Sequence, residues 1–141
     1  MTRAVLSIAP AVRKAITQHA REESPRECCG FLVGERTRIL YALPMPNVAA
    51  RPTRYRIDDR AHIEVRRLLR RFAPALAVVG VYHSHPAGRA EPSPRDIDEA
   101  MYPDWAYVIV GLAHRPPRVR GFRIRGGRVV ELRLRWQPPL R

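Results

Sequence analysis

Val12, Ala15, Ile16, His19 and Ala20 recur at the spacing of one helical face, and the pattern predicts a helix from about Ile8 to Glu23. Ser7 is placed to cap it, Pro10 is tolerated in its first turn, and Ser24-Pro25 ends it. Two apolar runs follow, Cys28 to Gly34 and Thr37 to Leu43. The polar pair Glu35-Arg36 between them predicts a hairpin. Pro44 to Pro52 reads as a loop and Tyr55-Arg56-Ile57 as a brief strand. A second helix, capped by Asp58 or Asp59, extends to about Phe72, with Val65, Leu68, Leu69 and Phe72 on its buried side. Ala75 to Tyr82 is almost entirely apolar, as in a central strand covered on both faces. Ser93-Pro94-Arg95-Asp96 has the form of a helix start, with a capping serine, proline at the first helical position and an acid at the third. Tyr107 to Gly111 is another strand. Gly121 to Arg125 and Val129 to Trp136 flank Gly126-Gly127 as a hairpin whose second strand alternates Val130, Leu132, Leu134 and Trp136 with Glu131, Arg133 and Arg135.

These elements describe an α/β domain, a central mixed, twisted β-sheet flanked by helices. At 141 residues the chain is expected to form a single domain, residues 1–141, large enough for a hydrophobic core. No stretch approaches the length of a membrane span, and the N-terminal residues lack the apolar run of a signal peptide, so a cytoplasmic protein is expected. Cys28 and Cys29 are adjacent, which suits neither a spaced zinc knuckle nor a disulfide framework. In a strand they point to opposite faces, and packing as small hydrophobes is the simplest account.

The formal charge is +13, yet Lys14 is the only lysine and arginine is spread over nearly every segment. Attraction to acidic partners follows, without choosing protein or nucleic acid. Arg66, Arg67, Arg70 and Arg71 are most simply the solvated face of the second helix.

The chemistry concentrates after the central strand. His83 and His85 sit at its end, on one side by alternation with Ser84 opposite, and Asp96 follows across a short loop. Two imidazoles and a carboxylate with one position open are the ligand type and number of a catalytic zinc site; iron or manganese stay open as alternatives. Ser93 and Asp96 taken alone are explained as a capping box.

Glu27, His83-Ser84-His85-Pro86 and Ser93-x-x-Asp96 at this spacing resemble the JAMM (MPN-plus) metalloproteases. Pro25-Arg26-Glu27-Cys28-Cys29-Gly30-Phe31-Leu32-Val33-Gly34 is similar to the first-strand motif of the small prokaryotic members, and Asn47 and Tyr55 to Asp58 sit where those members carry a loop asparagine and an aromatic strand. The likeness extends from Arg3 to about Ile124. It implies the JAMM/MPN fold, which is cytidine-deaminase-like, and one Zn2+ held by His83, His85 and Asp96. It implies that Glu27 takes the proton of the attacking water and returns it to the leaving amine, and that Ser93 hydrogen-bonds the oxyanion. Ser84 is placed as a supporting residue rather than a nucleophile. The implied reaction is peptidase or isopeptidase cleavage after the C-terminal Gly-Gly of a small β-grasp ubiquitin-like or sulfur-carrier protein. A homodimer is an open expectation, and specific nucleic-acid binding is not expected. Two rivals remain: a RadC-type DNA-associated domain, against which the Glu27-Cys28-Cys29-Gly30 strand stands, and a non-catalytic scaffold stabilised by its metal.

Overall fold

The structure is a computed structural model describing residues 3–136. In chain order the elements are β1 (Val5–Ile8), α1 (Pro10–Glu23), β2 (Cys29–Glu35), β3 (Arg38–Met45), α2 (Asp59–Phe72), β4 (Ala77–His85), α3 (Pro94–Asp98), β5 (Ala106–Gly111), β6 (Arg118–Arg125) and β7 (Arg128–Trp136). The strands form one mixed sheet in the order β1-β3-β2-β4-β5-β6-β7, and β1 pairs in parallel with both β3 and β7, closing the sheet on itself.

β1 corrects the expected capping of the first helix. Ser7 lies within β1, its N–H donating to the Thr37 carbonyl at 2.8 Å, and the helix begins at Pro10 with Ala9 as an N-cap that makes no side-chain bond. Val5, Leu6 and Ile8 suit a strand, and pairing on both edges outweighs the local capping preference of a serine. Pro10 at the first helical position costs no hydrogen bond, because that N–H has no intrahelical partner.

The expected strand at Tyr55-Arg56-Ile57 is also absent. The segment runs extended beside Asn47 and Val48, held by bonds between Val48 N–H and the Arg56 carbonyl (2.9 Å) and between Arg56 N–H and Asn47 Oδ1 (3.1 Å). One such contact makes no ladder. The remaining strands and helices stand within a few residues of their expected positions, and Asp58 caps α2 by accepting from Ala61 N–H at 3.1 Å.

Period-two alternation sorts the sheet residues into two faces. On one face Leu6, Ile8, Cys28, Leu32, Tyr82, Val108 and Val110 pack with Val12, Ile16 and Ala20 of α1. On the other, Phe31, Val81, Tyr107, Ile109 and Phe122 pack with Trp105 and, at their margin, with Val65 and Leu69 of α2. α2 differs from expectation here. None of its residues is buried, and Leu68 and Phe72 are exposed because the helix meets the sheet along the one edge that carries His62, Val65 and Leu69. In β7, Leu132 is buried and Leu134 and Trp136 pack against the α1-side core, but Val130 is exposed.

Both cysteines are buried and free, Cys28 within the α1-side core. Burial pushes the Cys28 thiol up to about 11 and the Cys29 thiol up to about 12, so neither supplies a thiolate near neutrality.

Candidate metal centre

The register of three strands assembles the site. β4 is central: it pairs antiparallel with β2, Cys29 opposite His83, and parallel with β5, His83 beside Ile109 and His85 beside Gly111. Continuing that register, Ser84 N–H donates to the Cys28 carbonyl at 3.1 Å, which brings Glu27 across from His85. Odd-numbered residues on both strands face the α2 side, so Glu27, His83 and His85 share it. Ser84 faces the other way, and its Oγ accepts from Cys28 N–H at 2.8 Å. Ser84 therefore ties β2 to β4 and is turned from the reacting centre.

Asp96 arrives from the first turn of α3. Ser93 Oγ accepts from Asp96 N–H at 3.1 Å, and Ser93 N–H donates to Asp96 Oδ2 at 2.9 Å. This capping box turns the carboxylate toward the histidines. His83 Nε2 and His85 Nε2 lie 3.1 Å apart, and Asp96 Oδ2 lies 3.2 and 3.1 Å from them. Glu27 completes the cluster: one ligand atom from each of Glu27, His83 and His85 falls within 4.8 Å of the others.

The donor set fits a metal ion. Donors at about 2.0–2.1 Å from zinc and at tetrahedral angles sit about 3.3 Å from one another, close to the spacing of the two Nε2 atoms and Oδ2. His85 Nδ1 faces the Arg89 carbonyl at 2.8 Å, which assigns the proton to that nitrogen and leaves Nε2 its lone pair. His83 is held differently. Its Nδ1 is buried with no partner among the described residues, and its ring is stacked on Tyr55 at 4.3 Å between centroids and 20° between planes.

The two carboxylates are pushed apart. Desolvation raises Glu27 from 4.5 to about 7, an effect that the nearby His85 only partly offsets. Asp96 is also desolvated, yet its hydrogen bonds with His83 and His85 and from Ser93 N–H hold it well below the usual carboxylate range. Burial pushes His83 down, toward the neutral ligand form. For His85 burial acts in the same direction, but its bonds to Asp96 and the Arg89 carbonyl outweigh it and the net shift is upward. Asp96 is thus the permanent anion and Glu27 the group that exchanges a proton near neutrality. Glu27, His85, Ser93 and Asp96 line a cleft of about 640 Å³.

Over residues 9–125 the sequence matches the family described as prokaryotic homologs of the JAB domain. The chain belongs to this family. This JAB-family chain is 38% identical over 131 residues to the CysO-cysteine peptidase of Mycobacterium tuberculosis, covering 90% of this chain and 88% of that protein. It is 36% identical over 117 residues to the desampylase of Haloferax volcanii, covering 77% and 82% respectively. The solution structure of a Desulfitobacterium hafniense protein superposes with a TM-score of 0.85 at 27% identity, covering 96% of this chain and 94% of that one.

All the site residues expected from the sequence of this JAB-family protein are brought together, Glu27, His83, His85, Ser93 and Asp96 around the cleft and Ser84 behind it. Two supports were not legible. Nothing in a sequence tells that the Arg89 carbonyl will meet His85. The close approach of that loop to Gly111, where a Cβ would collide with Ala90 N and Arg89 C, is the nearest signal. The alternation around Tyr55 predicts a strand, and its stacking on His83 depends instead on a loop with no periodicity.

Proposed function

We propose that the protein is a zinc-dependent peptidase or isopeptidase that cleaves after the C-terminal Gly-Gly of a small ubiquitin-like or sulfur-carrier protein, with the chain acting as one catalytic domain. The observation that carries this reading is the convergence of two imidazole nitrogens and the Asp96 carboxylate beside the buried Glu27. The two relatives, one named a CysO-cysteine peptidase and the other a desampylase, support the substrate class.

His83, His85 and Asp96 would hold the ion. Zinc bound there would supply Lewis-acid polarisation and make a water ionise at about pH 7. Glu27 accepts a proton from the attacking water at its carboxylate and passes it to the departing nitrogen. Ser93 uses its oxygen to accept from Asp96 N–H, which leaves its O–H free to donate to the developing oxyanion. A Gly-Gly tail suits a cleft lined by catalytic groups because it has no side chain to clash with them.

The test is incubation with small β-grasp proteins bearing C-terminal extensions, with and without chelator, read by intact mass. The expected result is a single cut directly after Gly-Gly, abolished by chelation. Cleavage that survives chelation, or none across such carriers, refutes the reading.

A further inference from the structure

The loop between β3 and α2 is pinned to Glu27 through one side chain. Asn47 donates from Nδ2 to the carbonyls of Glu27 (2.9 Å) and Arg54 (2.8 Å), and its Oδ1 accepts from the N–H groups of Ala49 (3.0 Å) and Arg56 (3.1 Å). Glu27 N–H reaches the Pro52 carbonyl at 2.9 Å. Both donors and both acceptor sites of the amide are used, so the backbone at Arg54 is fixed relative to the backbone at Glu27.

Arg54 lines the cleft that holds Glu27, His85, Ser93 and Asp96. Its residue is half-buried, and among the described residues its guanidinium has no hydrogen-bond or ion-pair partner. Three other arginines near the cleft are engaged: Arg26 donates to the carbonyls of Asn47 and Ala49, Arg66 donates to His62 and lies over Tyr102 and Trp105, and Arg95 in the same cleft pairs with Glu99. Arg51, also without a side-chain partner among the described residues, is exposed and does not line this cleft. A guanidinium partly withdrawn from water without an anion retains its full capacity for a planar, two-pronged bond to a carboxylate.

We propose that Arg54 receives the α-carboxylate of a leaving group one residue long, and so favours release of a single C-terminal amino acid over cleavage of an isopeptide bond. The inference rests on the peptidase reading above. Hydrolysis frees the amine of the leaving residue. When that residue is the last of the chain, its carboxylate lies about one residue, roughly 3.5 Å, from the reacting nitrogen. Its receptor must therefore share the cleft with Glu27, as Arg54 does. An isopeptide-linked lysine presents a side-chain nitrogen instead, and its α-carboxyl is tied into a peptide bond. A relative named as a CysO-cysteine peptidase fits a leaving group this small.

The experiment compares one β-grasp carrier ending in Gly-Gly-Cys in two forms, the free acid and the C-terminal amide. Cleavage by the zinc-loaded protein is read as kcat/KM, and affinity for the Glu27→Gln variant is read by calorimetry. With Arg54 in place, the acid is expected to be preferred by about tenfold or more, in kcat/KM for the native protein and in affinity for the Glu27→Gln variant. Arg54→Ala should bring the ratio to about one, Arg54→Lys should retain part of it, and Arg60→Ala, an exposed arginine on α2, should leave it unchanged. Because each ratio is taken within one variant, loss of folded protein cancels. A native ratio near one overturns the proposal, including the case where Arg54→Ala weakens both forms equally, which would assign Arg54 to an acidic side chain of the carrier. Cleavage and binding of neither form counts against the peptidase reading and takes this inference with it.

Discussion

The two faces of the sheet are built on different terms. On the α1 face Ile16 and Ala20 are fully buried, and the helix lies against Leu32, Tyr82 and Val108 in a continuous apolar core. On the α2 face no helix residue is buried, Ile63 and Phe72 are 65% and 71% exposed, and the sheet carries Glu27, His83 and His85 beside an open cleft. Close packing is a source of stability, whereas a site needs polar groups held partly dry with room for a substrate. The α1 face is therefore closely packed along its helix, whereas the α2 face combines an apolar core around Phe31, Ile109 and Phe122 with an open site.

The strongest way to break this contrast is on the α2 face. Glu27→Gln should lower kcat/KM by about 10³-fold or more while metal content stays near that of the native protein. His85→Ala should lose both metal and activity. Metal analysis beside a carrier-cleavage assay distinguishes the two, and an active Glu27→Gln variant would remove Glu27 from the proton path.

A second comparison sets the two helices against each other. Ile16→Ala should cost about 2–5 kcal/mol of unfolding free energy in urea with the metal site intact, because it opens a cavity in the packed face. Leu69→Ala on α2 should cost about 1–2 kcal/mol, since that residue is only partly buried. Equal losses would mean that α2 carries as much of the fold as α1.

The pH dependence of stability sharpens the same point. In metal-free protein Glu27 binds its proton more tightly folded, about 7 against 4.5, so the native state is favoured below about pH 4.5 and loses that advantage as pH rises through 7. Glu27→Gln should remove this loss. Relative to the native protein it should gain up to about 3 kcal/mol between pH 4.5 and 8 in metal-free chemical denaturation. A gain that does not grow with pH would show that burial is not what raises Glu27.

The smallest expected effect on activity belongs to the polar residue on the apolar face. Ser84→Ala leaves Cys28 N–H without its acceptor and should cost about 1–3 kcal/mol, measured in urea, with at least a tenth of the activity kept. Abolished activity in a folded, metal-loaded Ser84→Ala variant would contradict a purely structural tie.

Particular residues show why some of this was legible and some was not. His83 and His85 are separated by one residue on an apolar run, so strand alternation alone puts them on one face, and Ser93-Pro94-Arg95-Asp96 states its own turn geometry. Ser7 misled because a capping preference is local and worth about 1 kcal/mol, while β1 exists only through its two distant partners. Leu68 and Phe72 misled because periodicity gives the apolar side of a helix but not how much of that side the sheet will cover.

The elements with strong period and the donor residues within each motif are legible in the amino-acid order, since each depends on neighbours a few positions apart, and the family likeness rests on those motifs together. The closure of the sheet by β1, the meeting of Glu27 with His85, the stacking of Tyr55 on His83 and the pinning of Arg54 to Glu27 through Asn47 arise in the folded chain. Each of these joins residues separated by long stretches of chain. Their distances are set by sheet register and packing, which no local run of residues encodes.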